Sequence, residues 1–362
     1  MSDPAPRRDQ HYGLPPAPLV SVLLGLAAAV LLAVGLVFAP RAVAWGWLVG
    51  FVVWSSAPIG AIVLALVHET TGGRWGLAAA PTLRLGGLCA LVLPLFFALL
   101  LAGLKTLYPW ANGGASTAPD VARYYFNVPV FATVGFVAVF GWAAIGALLA
   151  LGQLGLLGAS LALVFHGFAV SLVAIQWLLS VDPRYSDSAF GAEIAVQQIM
   201  LALAVIAVLQ PRRAVEIADG DTGGLLFASS LGAFYLGLMT FIVKWYGDQP
   251  VDAAWYLARV HGVWGAFIAG ACLFGSVVPI VGCAWERVRA SPAAMRAVGL
   301  SAILGIFLHN LWLAGSAAPA LAAPAALLAV VAMACLSAGA AAYLDRRLLA
   351  GRPRLEAHGG AR

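Results

Sequence analysis

The chain has 362 residues, 62% of them hydrophobic and only 10% charged, with a formal charge of +5 and a mean hydropathy of +0.94. Soluble domains carry roughly 25% charged and 45–50% apolar residues, so this composition excludes an ordinary soluble enzyme. The small basic excess falls largely in short loops, where it reads as membrane topology and not as a nucleic-acid surface.

Apolar runs of about 20 residues recur end to end, the signature of an all-α polytopic membrane protein. In chain order they predict spans near 17–39, 42–67, 82–104, 127–150, 158–180, 188–209, 223–245, 254–285, 293–314 and 318–343, with tails at 1–16 and 344–362. The first run is longer than a signal-peptide core and lacks a convincing cleavage site, so it is expected to be retained. About ten spans of about 21 residues leave roughly 150 residues for loops and tails. The longest polar stretch, Lys105 to Phe126, is too short for a domain. Any chemistry is therefore expected inside the membrane or on partner chains.

With the N-terminus inside, fourteen of the twenty Lys and Arg residues fall on the cytoplasmic side. That asymmetry predicts a cytoplasmic location for both termini and an even number of spans. Two echoes hint at an internal repeat. Thr71-Gly72-Gly73 and Thr222-Gly223-Gly224 both follow inward-running spans, and one span later come Lys105-Thr106-Leu107-Tyr108-Pro109-Trp110 and Lys244-Trp245-Tyr246-Gly247. Two parallel four-helix units, spans 2–5 (45–180) and 6–9 (188–314), explain both. Coincidence between turn sequences explains them equally well.

Ionisable and amide groups at membrane depth are the functional candidates, because burying them in hydrocarbon is costly. Span six offers Glu193 and Gln197 at i and i+4, hence on one helical face, with Gln198 beside them. Such a stripe suits a water-lined half-channel or the head-group end of a quinone pocket; helix–helix hydrogen bonding is the plainer alternative. A rise of 1.5 Å per residue puts Gln197 about 14 Å in from Ser188, near the bilayer centre. Span five carries His166 in its inner half and Gln176 in its outer half. A neutral imidazole can relay a proton, since one nitrogen donates while the other accepts, although an isolated intramembrane His is also an ordinary packing partner. His68-Glu69, beside Arg74, ends span two as a proton inlet or as a capping group. Pro58, within Ser55-Ser56-Ala57-Pro58-Ile59-Gly60, is expected to kink span two, because it cannot donate to the carbonyl of Trp54.

The outer ends gather Asp182, Asp187, Lys244, Asp248, Asp252, Arg259, His261, His309 and Asn310. Asp182, Lys244, Asp248 and Arg259 are read as a docking surface for partner chains, and His309 as a further proton-path or quinone contact. Trp45, Trp47, Trp110, Trp245, Trp255 and Trp312 are read mostly as interfacial belts. Cys89, Cys272, Cys283 and Cys335 lie singly in apolar segments. No CxxC, CxxCH or Cys/His cluster is present, so no metal site and no side-chain-ligated cofactor is expected.

The run Gly46-Trp47-Leu48-Val49-Gly50-Phe51 through His68-Glu69-Thr70-Thr71-Gly72-Gly73-Arg74-Trp75-Gly76 resembles the second span and following turn of an integral-membrane subunit of alternative complex III. The similarity continues through Leu107-Tyr108-Pro109-Trp110-Ala111 and Tyr125-Phe126-Asn127-Val128-Pro129. It is strongest at Ile175-Gln176-Trp177-Leu178-Leu179-Ser180-Val181-Asp182-Pro183-Arg184-Tyr185-Ser186, and resumes at Asp221-Thr222-Gly223-Gly224-Leu225-Leu226 and Trp245-Tyr246-Gly247-Asp248-Gln249-Pro250. It spans roughly residues 45–315. The resemblance implies the quinone-binding-type subunit 2 of a quinol:cytochrome c oxidoreductase, in the NrfD-like polysulfide-reductase membrane superfamily. It implies two four-helix bundles with peripheral first and last helices, in a bacterial inner membrane. The implied partners are a paralogous membrane subunit, iron–sulfur and multihaem cytochrome c subunits, and lipid. Haem and iron–sulfur clusters would sit on those partners, with quinone or quinol as the small molecule this chain meets. Such a subunit does not catalyse alone. It contributes scaffold, quinone or lipid contact and a proton path, for which the candidates here are His68, Glu69, His166, Gln176, Glu193, Gln197, Gln198 and His309.

Two departures stand out. The family usually carries a carboxylate where this chain has Gln176, which cannot ionise, and a second His where this chain has Glu69, which can. The alternatives to a respiratory subunit are a secondary transporter, which predicts an inverted repeat with paired broken helices, and a purely structural membrane anchor.

Overall fold

The computed structural model describes residues 19–113, 119–182, 185–210, 212 and 221–350. The expected tail 1–16, the end of the tail beyond residue 350, and Arg184 and Arg213 lie outside the described residues, as does the side chain of Arg74. Among the described residues the chain is all helical, and ten helices are long and apolar enough to cross a membrane. The protein is a multi-pass membrane protein.

The spanning helices are α1 (Leu19–Phe38), α2 (Pro40–Thr71), α3 (Arg74–Cys89 and Leu93–Ala102, joined by a 3-10 turn), α4 (Val128–Leu151) and α5 (Leu156–Trp177). They continue with α6 (Phe190–Leu209), α7 (Asp221–Gly247), α8 (Gly262–Cys272 and Val278–Ala284, joined by a π-helical turn at Leu273–Val277), α9 (Pro292–Ala314) and α10 (Ala322–Ala350). The described residues of the connections α3–α4, α5–α6, α7–α8 and α9–α10 all follow spans that run the same way, so they share one side of the bundle, the loop-rich face. Expected and observed spans agree within a few residues except at the third, which starts at Arg74 and not at 82, and at the eighth and tenth. The anticipated start of the eighth, at 254, belongs to a separate short helix, Pro250–Leu257. The span itself begins at Gly262, whose positive φ of 59° turns the chain back into the membrane. The tenth runs on into the expected tail at 344–362 as far as Ala350, and carries the buried Asp345 into an ion pair with the half-buried Arg84 of α3.

The packing order gives two rings of four. α2 packs on α3, α3 on α4, α4 on α5 and α5 back on α2; likewise α6 packs on α7, α7 on α8, α8 on α9 and α9 on α6. The rings meet through α2 against α6, α5 against α6, and α9 against α2. This set maps onto itself when each helix is exchanged with the one four spans later. Because four spans restore the chain direction, the two units run parallel. The last helix lies along α2, and α1 lies outermost along α10.

Small residues allow the closest approaches, as expected where lipid removes the hydrophobic drive between helices. A Cβ on Gly60 would fall on the carbonyl of Gln198, which is where α2 meets α6. A Cβ on Gly305 would fall on the backbone of Gly275, where α9 crosses the π turn of α8. The π turn frees a carbonyl, and the Ser301 hydroxyl donates to Phe274 O at 2.8 Å. Pro58 leaves α2 unbroken; Ser55 and Ser56 both turn their hydroxyls to Val52 O, at 3.2 and 2.7 Å.

The two rings differ inside. Aromatic side chains fill the first: Phe51, Phe97, Phe131, Trp142 and Trp177 pack with ring centroids 5.1–6.4 Å apart, and Tyr108 donates to Trp177 O at 2.9 Å. The second ring encloses an open cavity.

Candidate functional site

That cavity, of about 340 Å³, lies among α6, α7, α8 and α9 and runs from the loop-rich face toward the middle of the bundle. Its deep walls are small or apolar: Met200 of α6, Ala233 of α7, Gly275 and Ser276 of the π turn, Gly305 and Ile306 of α9. The Gly275–Gly305 crossing brings α8 and α9 together below it. Gly237 of α7 keeps space beside Glu193; a Cβ there would meet only Glu193 Oε1, at 3.9 Å.

The polar pole lies in the third of the cavity nearest the loop-rich face. Gln197 stands two turns into α6, about 10 Å from the helix start, so it is well short of the bilayer centre expected from the sequence. Glu193 is 7% exposed, and its Oε1 is 3.4 Å from His309 Nε2 and 3.5 Å from Gln197 Nε2. Gln197 Nε2 lies 2.8 Å from His309 Nδ1. Asn310 Nδ2 donates to Gln197 Oε1 at 3.3 Å and to the Ile306 carbonyl at 2.9 Å. The i, i+4 spacing of Glu193 and Gln197 puts both on the cavity-facing side of α6; His309 arrives from α9.

The short helix Pro250–Leu257 and the segment before α6 roof the cavity. Tyr185 stacks on Trp255 with centroids 4.1 Å apart, and its hydroxyl is 3.3 Å from that of Tyr256. The His309 ring lies along Trp312, 5.7 Å between centroids. Asp187 also lines this end; its Oδ1 accepts from Ala189 N at 2.8 Å and its Oδ2 from the Thr240 hydroxyl at 3.3 Å. The Tyr185 hydroxyl is pushed well above the usual tyrosine range, first by burial, then by Tyr256 and by the charges of Asp187 and Glu193. It therefore stays a neutral hydrogen-bonding group at any physiological pH. Trp255 and Trp312, expected in an interfacial belt, are instead buried walls of the cavity, because the returning loop folds them inward.

The cavity opens sideways. α7 packs against Val278–Ala284 and the π turn of α8, and the two helices diverge toward the loop-rich face. Phe234, Leu238 and Phe241 of α7 and Cys272 of α8 both line the cavity and reach the exterior. The cavity thus meets the apolar exterior of the bundle between α7 and α8.

Of the proton-path or quinone candidates, the structure brings together Glu193, Gln197 and His309. Gln198 is buried but lies off the cavity, on the part of α6 that meets α2. His68 and Glu69 lie at the opposite face from the cavity, where α2 ends. His68 packs edge-on against Trp75 with centroids 5.4 Å apart, and Glu69 is exposed. His166 is buried in the first ring beside Trp142, and Gln176 is fully buried there with neither amide atom hydrogen-bonded. The docking candidates also separate. Asp248 is exposed at a positive φ of 44°. Lys244 pairs with Asp252 at 3.1 Å and donates to Ser186 O at 2.6 Å. Asp182 is half-buried. Arg259 is 4% exposed, its guanidinium 3.9 Å from the centre of the Trp255 ring, so it braces the roof from within.

Sequence reasoning misses three contributors: the Tyr185–Tyr256 pair, Gly237 and the linking role of Asn310. Among the described residues no group of three His, Cys, Asp or Glu side chains could hold a metal ion, and all four cysteines are free. No family model matches the chain, and no curated protein matches it.

Proposed function

We propose that this chain is a membrane subunit of a quinol-oxidising respiratory complex, and that the cavity of its second ring is where it takes up quinone or quinol. The observation that carries this reading is the cavity itself: apolar and aromatic walls, one compact polar pole, and an opening toward lipid. Ligand sites typically enclose about 300–1,000 Å³, with a few placed polar groups among apolar walls. A flat ring bearing hydroxyl or carbonyl oxygens fits this chemistry. Its oxygen would meet Glu193 and His309, its ring would lie against Trp312 and Tyr256, and a lipid-like tail would leave between α7 and α8. Redox groups on partner chains would supply the electron acceptor when the complex is assembled. This chain's own groups bind the ring, orient it and hold a proton at the Glu193 carboxylate.

The parallel relation of the two rings supports this reading over a secondary transporter built on an inverted repeat. The test is direct. The purified chain in nanodiscs is titrated with decylubiquinone while tryptophan emission is followed, since Trp255 and Trp312 line the cavity. Saturable quenching that is lost in Trp255→Phe/Trp312→Phe is expected; linear, purely collisional quenching would overturn the assignment. Co-purification with haem and iron–sulfur subunits in mild detergent tests the complex, and a solitary colourless chain would refute it.

A further inference from the structure

The hydrogen bonds around His309 fix which of its nitrogens carries the proton. The Ile306 carbonyl, at the far end of the network, can only accept. The Asn310 side-chain atom 2.9 Å from it is therefore the amide nitrogen. That nitrogen has a second hydrogen, directed at the Gln197 side-chain atom 3.3 Å away, which must be the carbonyl oxygen. The other end of the Gln197 amide is then its nitrogen, and it lies 2.8 Å from His309 Nδ1. An amide nitrogen only donates, so Nδ1 accepts, and in the neutral ring the proton sits on Nε2. Nε2 faces Glu193 Oε1 at 3.4 Å, a long contact that leaves the N–H open to a better-placed acceptor.

We infer that Asn310, acting through Gln197, locks His309 as a hydrogen-bond donor into the cavity and leaves proton acceptance at this pole to Glu193. Asn310 is a positioning residue: it is 1% exposed and absent from the cavity wall, and it reaches the polar pole through the Gln197 amide. The assignment deepens the quinol reading and rests on it for the ligand's identity, because it gives the pole two different functions. His309 donates to an incoming oxygen; Glu193 accepts. With the opposite tautomer, the bare Nε2 lone pair would face the Glu193 carboxylate, and His309 would offer the cavity no donor.

The test reads the tautomer without any quinone. The full chain carries six histidines, so ¹⁵N-histidine labelling in liposomes gives a tractable solid-state NMR spectrum, with His309 assigned by its loss in His309→Asn. The inference expects a non-protonated Nδ1 and a protonated Nε2 at neutral pH. Asn310→Asp places an acceptor against Gln197 Oε1, turning the amide so that its carbonyl faces Nδ1; the proton should move to Nδ1. Gln197→Glu, which puts a carboxylate at the same point with no amide to turn, should do the same. Retention of the Nε2–H form in both variants, or an Nδ1–H form in the wild type, overturns the inference. Decylubiquinone titration of the same samples separates the two readings. A tautomer that moves with affinity falling about tenfold, the scale of one lost hydrogen bond, supports both. A tautomer that moves with affinity unchanged supports the lock and refutes the quinone site.

Discussion

Gly237→Leu should produce a protein that folds normally and cannot use its cavity. The position is helical with an ordinary negative φ, and a Cβ there meets nothing nearer than Glu193 Oε1 at 3.9 Å. No backbone has to move. Replacing a mid-helix glycine removes a conformational cost of about 0.5–1 kcal/mol, so stability should hold or rise slightly. The leucine branches would then occupy the space beside the carboxylate. The expected loss follows from what binds a ring taken from lipid. Hydrocarbon is about as apolar as the cavity walls, so burial adds little and the polar pole supplies most of the preference. One or two hydrogen bonds there amount to about 1–3 kcal/mol, or roughly a five- to 150-fold weakening of decylubiquinone affinity when the ring can no longer reach Glu193. The assay is tryptophan quenching in nanodiscs, with Gly237→Ala as the smaller step and thermal unfolding as the control. Affinity within twofold of wild type in a stable Gly237→Leu protein would show that the ligand does not sit beside Glu193.

Glu193→Gln keeps the shape of the pole but removes its proton acceptor, and decylubiquinol oxidation by the intact complex should fall by about a hundredfold or more, as for loss of a general base; unchanged turnover would remove Glu193 from the chemistry. Cys272, exposed at the opening between α7 and α8 while Cys89 and Cys283 are buried, should react first with N-ethylmaleimide, and decylubiquinone should slow that reaction. Equal rates with and without quinone, read by mass spectrometry, would count against a lateral route. Arg84→Met should destabilise the protein by about 3 kcal/mol, because Asp345, 2% exposed and paired with Arg84 at 2.7 Å, loses its counter-charge. Arg84→Met/Asp345→Leu should recover most of the loss in thermal unfolding; equal stability of the single variant would refute a structural role for the pair.

The ten spans are legible in the sequence because lipid imposes the rule: a run of apolar residues long enough to cross must be a helix. The faces of those helices are not. Apolar residues surround each one, so periodicity does not say which side meets lipid and which meets protein. Spacing alone puts Glu193 and Gln197 on one face, but His309, more than a hundred residues away, reaches them because α9 packs directly on α6, where Gly299 lets α9 approach the Ala204 carbonyl. The eighth span reads as starting too early because Ala253-Ala254-Trp255-Tyr256-Leu257 is apolar enough to pass for membrane, whereas the break comes at Gly262. Arg259 reads as a surface charge, since nothing in its sequence neighbourhood shows that Trp255 will cover it. His166 and Gln176 are buried, as their depth in span five implies, yet they belong to the ring that aromatic side chains have filled.

That difference between the rings bears on how one chain can serve as both scaffold and site. The helix contacts are the same under exchange of the two units, so neither ring is forced by topology to be open. What differs is the side-chain volume each sends inward. The first ring meets at Phe51, Phe97, Trp142 and Trp177; the second places Ala233, Gly237, Gly275 and Gly305 around its cavity. Close aromatic packing gives the first ring a rigid interior, and it presents α2 and α5 as a fixed wall behind α6. α6 is the helix that carries Glu193 and Gln197. The filled ring therefore holds in place the helix whose other side lines the open one, so a loosened first ring should disturb the polar pole without touching any residue of the cavity.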